Sequence, residues 1–400
     1  MNNNWLNVQK AIEDSVEKHR GEITSFLVDL VKAKSYTPPG DTREVAEICR
    51  KKAAGFTEKV SLVRSEEKLP SLVAEIGSGS QELLFNSHID TVPIGEAGDW
   101  IYDPFEAKII EGMLYGRGCA DAKGCVASML MAGKVLIDCN LKLRGRLKMT
   151  LVADEEAGGA KGTCYLIEKG ITKPNMVVIG EITENRIAIA EKGIFWTKIT
   201  TYGQTAHAST PWTGRSAISD MIRILNKLQN YWDKKFAGVN HHLVPPPSYN
   251  IGIISGGIQI NTVADRCEVF IDRRILPEEN LDDCCQEVWE LIEDFKHKNP
   301  DAKIEVDFSN LGQPINTDPK SDLVMKAREV CKDLGLNDEL TGYAQASDGR
   351  FFVGQKVPII LLGPGVAEKA HSPNECIEVE EVIKATKIYA CLAAKILGTY

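Results

Sequence analysis

Four short apolar runs, residues 83–85, 147–152, 176–179 and 357–362, each give way to polar or glycine-rich residues, and helical segments lie between several of them. Runs of that length, bounded by turn residues, suit buried strands. Strands alternating with helices predict an α/β core, a mixed sheet with helices on both faces. In an open sheet of this kind, ligand sites form beyond the carboxyl ends of the strands. Side chains just after these runs are therefore the first candidates for chemistry.

Four hundred residues exceed one ordinary core, so two domains are expected. Apolar residues at helical spacing (Ile12, Val16, Ile23, Leu27, Leu30, Val31) predict a helix over 8–34, and residues 37–40 break it. Asp41 reads as the N-cap of a second helix through Ala54. Further helices are expected at 123–138 and 160–169. From about Glu191 the texture changes to strands at 194–202, 249–254, 267–271 and 304–308 with helices at 216–234 and 281–298. We read residues 191–310 as a smaller α+β domain of about four strands and two helices. It interrupts a core formed by 1–190 and 311–400.

The net charge of -9 argues against a nucleic-acid partner, since phosphate neutralisation needs clustered Lys and Arg. No stretch approaches the ~18–20 apolar residues of a membrane span. The polar N-terminal residues contain no secretory-type apolar segment. Eleven cysteines, an odd count without Cys-x-x-Cys spacing, read as reduced thiols of a cytoplasmic protein.

Five side chains of metal-ligating type lie at predicted strand-to-loop junctions: His88, Asp121, Glu156, Glu181 and His371. On an extended chain His88 and Asp90 point the same way. That suits Asp90 to accept a hydrogen bond from the second ring nitrogen of His88 and fix its tautomer. Asp121 lies in Gly116-Arg117-Gly118-Cys119-Ala120-Asp121-Ala122-Lys123-Gly124, where glycines allow the tight turns that hold it in one pose. Its two oxygens can bridge two metal ions ~3.5–4 Å apart. The run 147–152 leads into Asp154-Glu155-Glu156. Adjacent acids cannot both face one way on an extended chain. Glu156 is therefore expected on a metal and Glu155 toward a substrate, where it can carry a proton.

Taken singly, these segments also fit a buried histidine, a glycine-rich loop or a solvated acidic turn; their conjunction carries the metal reading. Two imidazoles and three carboxylates, without thiolate, suit two divalent ions: zinc, or cobalt or manganese. A dinucleotide fingerprint is excluded because the third glycine is misplaced. No His-Glu-x-x-His string supports a single-zinc protease.

Together these strings resemble the co-catalytic di-zinc hydrolase family of acetylornithine deacetylase, succinyl-diaminopimelate desuccinylase, aminoacylase and the glutamate carboxypeptidases. The family's S-H-x-D-x-x-P stands at 87–93, its G-R-G-x-x-D-x-K-G at 116–124, its D-E-E at 154–156 and its G-E-x-T at 180–183. Ile182 stands where many relatives have proline. The resemblance implies that His88 and Glu181 hold one metal, Glu156 and His371 the other, and that Asp121 bridges them. It implies Glu155 as general base. The insertion would be a lid and dimerisation domain whose His207 reaches the partner subunit's active site. Asn261 and Arg274 would grip a substrate carboxylate, with Gly363 in a backbone loop near it, while Arg273 would point away. The implied activity is deacylation of a small N-acyl amino acid by a homodimer. A dipeptidase or carboxypeptidase is the alternative, and a non-catalytic binding module a remoter one.

Overall fold

The computed structural model describes residues 2–399. Its strands, in chain order, are β1 (Val60–Arg64), β2 (Pro70–Gly77), β3 (Glu82–His88), β4 (Lys108–Ile110), β5 (Met113–Tyr115), β6 (Arg146–Val152), β7 (Met176–Ile179), β8 (Ile187–Glu191), β9 (Gly193–Tyr202), β10 (Ser248–Gly256), β11 (Arg266–Ile275), β12 (Lys303–Gly312), β13 (Ile315–Asn316), β14 (Leu340–Tyr343), β15 (Ile359–Leu361) and β16 (Cys376–Glu378). The helices are α1 (Asn2–Lys18), α2 (Arg20–Lys32), α3 (Arg43–Ala54), α4 (Gly124–Asp138), α5 (Tyr165–Glu168), α6 (Ala217–Phe236), α7 (Leu281–Lys298), α8 (Asp322–Asp333) and α9 (Val379–Leu397).

The chain forms two compact units. The larger comprises 1–189, 317–343 and 347–400; the smaller comprises 190–316 and 344–346. Residues 190, 311–316 and 344–346 thus group with the insertion, not with the core as expected. Part of the reason is that β12 runs on to Gly312 and β13 pairs with Ala190 and Glu191.

In the larger unit the sheet order is β1-β2-β6-β3-β7-β15-β8, with β14 also on β8. The centre, β6-β3-β7-β15, is parallel. β2 joins β6 antiparallel and β8 joins β15 antiparallel, which makes the sheet mixed. Every residue of β3 is buried, as a central parallel strand requires. α4 and α9 pack on each other and on β3 and β6, burying Met129, Leu136, Ile388 and Leu392. A short antiparallel sheet, β16-β5-β4, ties residues 376–378 to 113–115.

Two predicted boundaries shift. The helix expected over 8–34 is broken at His19, whose backbone leaves helical geometry (φ -92°, ψ 5°). The apolar spacing continues through the break and does not reveal it. α3 begins at Arg43 after Thr42; Asp41 instead accepts from the Arg43 backbone and side chain.

The smaller unit is the antiparallel sheet β10-β11-β9-β12 with α6 and α7. α6 is capped by Ser216, whose hydroxyl accepts from the Ser219 N–H, and α7 by Asn280. Its core contains Phe195, Met221, Trp232, Val269, Val288 and Phe295. Along β11 inward and outward positions alternate, so Arg273 is fully buried and Arg274 is not. The Arg273 guanidinium lies 5.4 Å from the ring centres of Phe195, Trp232 and Phe236 and 2.6 Å from Glu287.

Candidate metal centre

Because β6, β3, β7 and β15 are parallel neighbours, their carboxyl ends open along one edge of the sheet. His88 is the last residue of β3, and Glu155 and Glu156 follow β6. Glu181 follows β7, and His371 lies on the long loop after β15. Asp121 comes from an irregular helical turn over 119–123, entered through Gly118 at φ +83°. A side chain at Gly118 would collide with Thr91, so glycine is required there on two counts.

Asp121 stands between the two imidazoles. His88 Nε2 lies 3.0 Å from Asp121 Oδ1, and His371 Nε2 lies 3.2 Å from Asp121 Oδ2. His371 Nε2 is also 3.2 Å from Glu156 Oε2. Donor atoms of His88, Asp121 and Glu181 all fall within 4.8 Å of one another, as do those of Asp121, Glu156 and His371. Among the described residues these are the two clusters of that kind, and they share Asp121.

The residues fit a pair of divalent cations. Zinc bonds of ~2.0–2.2 Å put two ligand atoms of one tetrahedral ion roughly 3.3–3.6 Å apart, and the separations of 3.0 and 3.2 Å lie within a few tenths of an ångström of that range. Glu156 Oε1 is buried without a hydrogen-bond partner, an orphan that a cation would satisfy. The nitrogen and carboxylate donor set suits zinc, cobalt or manganese and does not choose between them.

The electrostatics describe a place that demands positive charge. Hydrogen bonds to Asp121 and Glu156 push the His371 imidazolium up to about 10. Burial opposes a charge on His88, yet its bond to Asp121 raises it well above the ordinary histidine value. Burial also opposes charge on Asp121, but the hydrogen bonds from His371 and His88 hold its carboxyl below the usual range. Glu155 is pushed well up, first by burial and then by the carboxylates of Asp348, Glu181 and Glu156, with His88 opposing.

Asp90 does something other than expected. Its carboxylate oxygen is 3.7 Å from His88 Nδ1, while its backbone oxygen is at 3.0 Å and accepts that ring N–H. This leaves His88 Nε2 unprotonated in the neutral ring and facing the Asp121 side. The Asp90 carboxylate instead accepts the backbone N–H groups of Glu155 and Glu156, each at 3.2 Å. β3 ends at His88, so the two-residue alternation behind the prediction no longer applies. The Asp90 side chain therefore holds the acidic turn, and the imidazole is held by the Asp90 backbone oxygen.

Three supports were not anticipated. Tyr343 Oη, buried, donates to Glu181 Oε2 at 3.0 Å. Glu375, fully buried, binds the Asp121 loop through four donors. Asp348 accepts from Thr163 at 2.6 Å, and Thr163 in turn accepts from Asn86; burial pushes the Asp348 carboxyl up to about 6. Each partner is remote in sequence, and no local pattern announces it.

The remaining candidates are placed as follows. Gly363 is buried, its N–H donating to Thr183; a side chain there would strike Cys125 Sγ and the Glu181 carbonyl. Within the smaller unit, His207 is exposed and bridges Thr262. Its Nδ1 accepts the Ser209 N–H at 3.2 Å, which puts the proton of the neutral ring on Nε2. Asn261 is exposed, and its carbonyl accepts from Ala208. Arg274 forks onto Asp272, at 2.9 and 3.1 Å. None of the eleven cysteines forms a disulfide. Among the described residues no helix is long and apolar enough to cross a membrane.

A mixed α/β sheet with two carboxylate–imidazole clusters joined by one aspartate at its carboxyl edge defines a metal-dependent hydrolase. The chain belongs to Peptidase family M20/M25/M40, whose profile matches residues 84–395. It is 28% identical over 396 residues to a probable succinyl-diaminopimelate desuccinylase of Staphylococcus aureus, covering 92% of this chain and 96% of that one. Its fold is similar to an M20 family metallo-carboxypeptidase of Sulfolobus solfataricus (TM-score 0.76, 20% identity, 93% of this chain and 98% of that one). It is also similar to a dinuclear metal binding peptidase of Bacillus subtilis (TM-score 0.71, 17% identity, 96% of this chain and 100% of that one).

Proposed function

We propose that this metallohydrolase deacylates a small N-acyl amino acid, releasing a carboxylate and a free amine. The observation that carries the reading is Glu155. Its backbone is fixed by Asp90 beside the ligand Glu156, and its carboxylate belongs to neither cluster. A binding module has no use for such an acid.

His88, Asp121 and Glu181 would hold one cation and Asp121, Glu156 and His371 the other. When bound, the pair supplies Lewis acidity toward an amide carbonyl and toward water. Glu155, whose carboxylate belongs to neither cluster, takes the proton of the attacking water and passes it to the departing amine nitrogen. Arg274 and Asn261 orient the free carboxylate; the guanidinium, already forked onto Asp272, keeps a further N–H for it. His207, with its proton on Nε2, donates to the developing oxyanion of a second copy's site. A homodimer is supported by β10, an edge strand, and the loop after it. These expose Ile253, Ile254, Ile258 and Ile260 at 59%, 54%, 80% and 104%. The thiols support a cytoplasmic location.

Deacylase over peptidase is favoured by the desuccinylase likeness. A dipeptidase or carboxypeptidase is the second reading, favoured by the likeness to the Sulfolobus enzyme. The deciding test is a hydrolysis screen with zinc, cobalt and manganese. It sets acetyl-, succinyl-, formyl- and carbamoyl-amino acids against dipeptides. Higher kcat/KM for an acyl-amino acid supports deacylation; dipeptides turned over faster than every acyl-amino acid would reject it.

A further inference from the structure

Glu375 is a buried carboxylate that none of the steps above uses. Its Oε2 accepts from Arg117 Nη1 at 2.7 Å and the Gly118 N–H at 3.0 Å. Its Oε1 accepts from the N–H groups of Ala120 at 2.9 Å and Asp121 at 3.1 Å. The loop that presents the shared aspartate is thus wrapped around one anion, with three backbone donors and a guanidinium pointing inward. Arg117 is itself buried and lies 5.1 Å from the Trp100 ring, so the pair is shielded from solvent.

The same residue sits four positions after His371. Its backbone oxygen accepts the Gly116 N–H at 3.0 Å, and the next residues, 376–378, pair with 113–115. Asn374 adds two bonds, accepting from Ile101 N–H at 2.6 Å and donating to Asp99 O at 3.0 Å. One short segment therefore fixes the loop of Asp121 and the approach of His371 together.

We infer that Glu375 is the positioning residue for the shared cation ligand, setting the pose of Asp121 toward both clusters and so the affinity for both cations. This rests on the two-cation reading of the site. The argument is geometric. A carboxylate offers two oxygens to four donors; glutamine offers one oxygen and turns an NH2 toward N–H groups that need an acceptor. The Asp121 loop then loses half its anchor. Because Asp121 faces both imidazoles, the displacement reaches both cations, whereas loss of Glu156 reaches one. Outer partners of metal ligands change affinity by about 10–100-fold when removed.

The test measures zinc and cobalt affinity by chelator competition, and the visible spectrum of bound cobalt, in wild type, Glu375→Gln, Arg117→Gln and Glu156→Gln, with thermal unfolding of each metal-free protein alongside. Glu375→Gln is expected to weaken both cations about 10–100-fold while folded, and Arg117→Gln to weaken both by less. Glu156→Gln should weaken one. Two cations held by Glu375→Gln with wild-type affinity and spectrum overturn the inference. Should Glu375→Gln not fold, unchanged affinity for both cations in folded Arg117→Gln overturns it equally, and weakened affinity for both supports it. Wild type that binds no pair of cations would refute the underlying site instead, which separates the two failures.

Discussion

Replacing Asp90 by asparagine separates two ways in which this buried acid can matter. In the structure its two oxygens each accept one backbone N–H, from Glu155 and Glu156, at 3.2 Å. Asparagine keeps one oxygen and turns an NH2 group toward the other N–H. One charge-assisted bond, worth about 1.5–3 kcal/mol, is lost, and the other becomes a neutral bond of about 1 kcal/mol. The expected destabilisation is roughly 2–4 kcal/mol. At about 2–4 °C per kcal/mol, the larger unit should unfold of order 5–10 °C earlier. The effect should appear in chelator-treated protein, because it acts through the acidic turn and not through a cation. Turnover should fall as well, since displacement of Glu155 by about 1 Å costs on the order of 10²-fold. The assay is thermal unfolding by circular dichroism with and without chelator, paired with elemental analysis. An unchanged Tm after chelator treatment, together with a missing cation in the untreated variant, would show that Asp90 works through His88 after all, and the reasoning would fail.

Glu155→Gln should keep the fold and both cations while kcat drops by about 10²–10⁴-fold; full turnover at equal metal content would reject its role as proton carrier. Asp121→Ala should impair both cations together, and a full complement by elemental analysis would contradict the sharing of that side chain. Mixing His207→Ala protein with Glu155→Gln protein should restore part of the activity through hybrid dimers; no recovery after verified subunit exchange would count against action across subunits. Arg273→Met should lower the stability of the smaller unit by about 1.5–3 kcal/mol, because Glu287 loses one charged donor while keeping Lys235 and the Trp232 N–H, with metal content unchanged. A shift in cation binding instead would mean that Arg273 is more than a core residue.

Four of the candidate metal ligands, His88, Asp121, Glu156 and Glu181, were legible because each lies just at or after a strand end or in a glycine-rich turn, whereas His371, ten residues past β15, is singled out only by the conjunction and the family resemblance. Arg273 and Arg274 were told apart for a similar reason: alternation along β11 sends one inward and one outward. The rule failed for Asp90 because β3 stops two residues before it. His19 breaks the first helix without interrupting the apolar spacing on either side. Glu375 and Tyr343 stayed invisible because their bonds join residues 254–258 and 162 positions apart. A lone acid or tyrosine carries no local mark of such a partner.

The short sheet that ties residues 376–378 to 113–115 bears on how the molecule is built during translation. A ribosome makes the Asp121 loop some 250 residues before it makes His371, so three glycines, a buried-to-be arginine and an acid must wait without the anion they surround. Until that late segment arrives, any cation captured by the nascent protein has only the His88 half of the centre to rest on. Assembly of the second half of the centre therefore waits for the segment that carries His371 and Glu375.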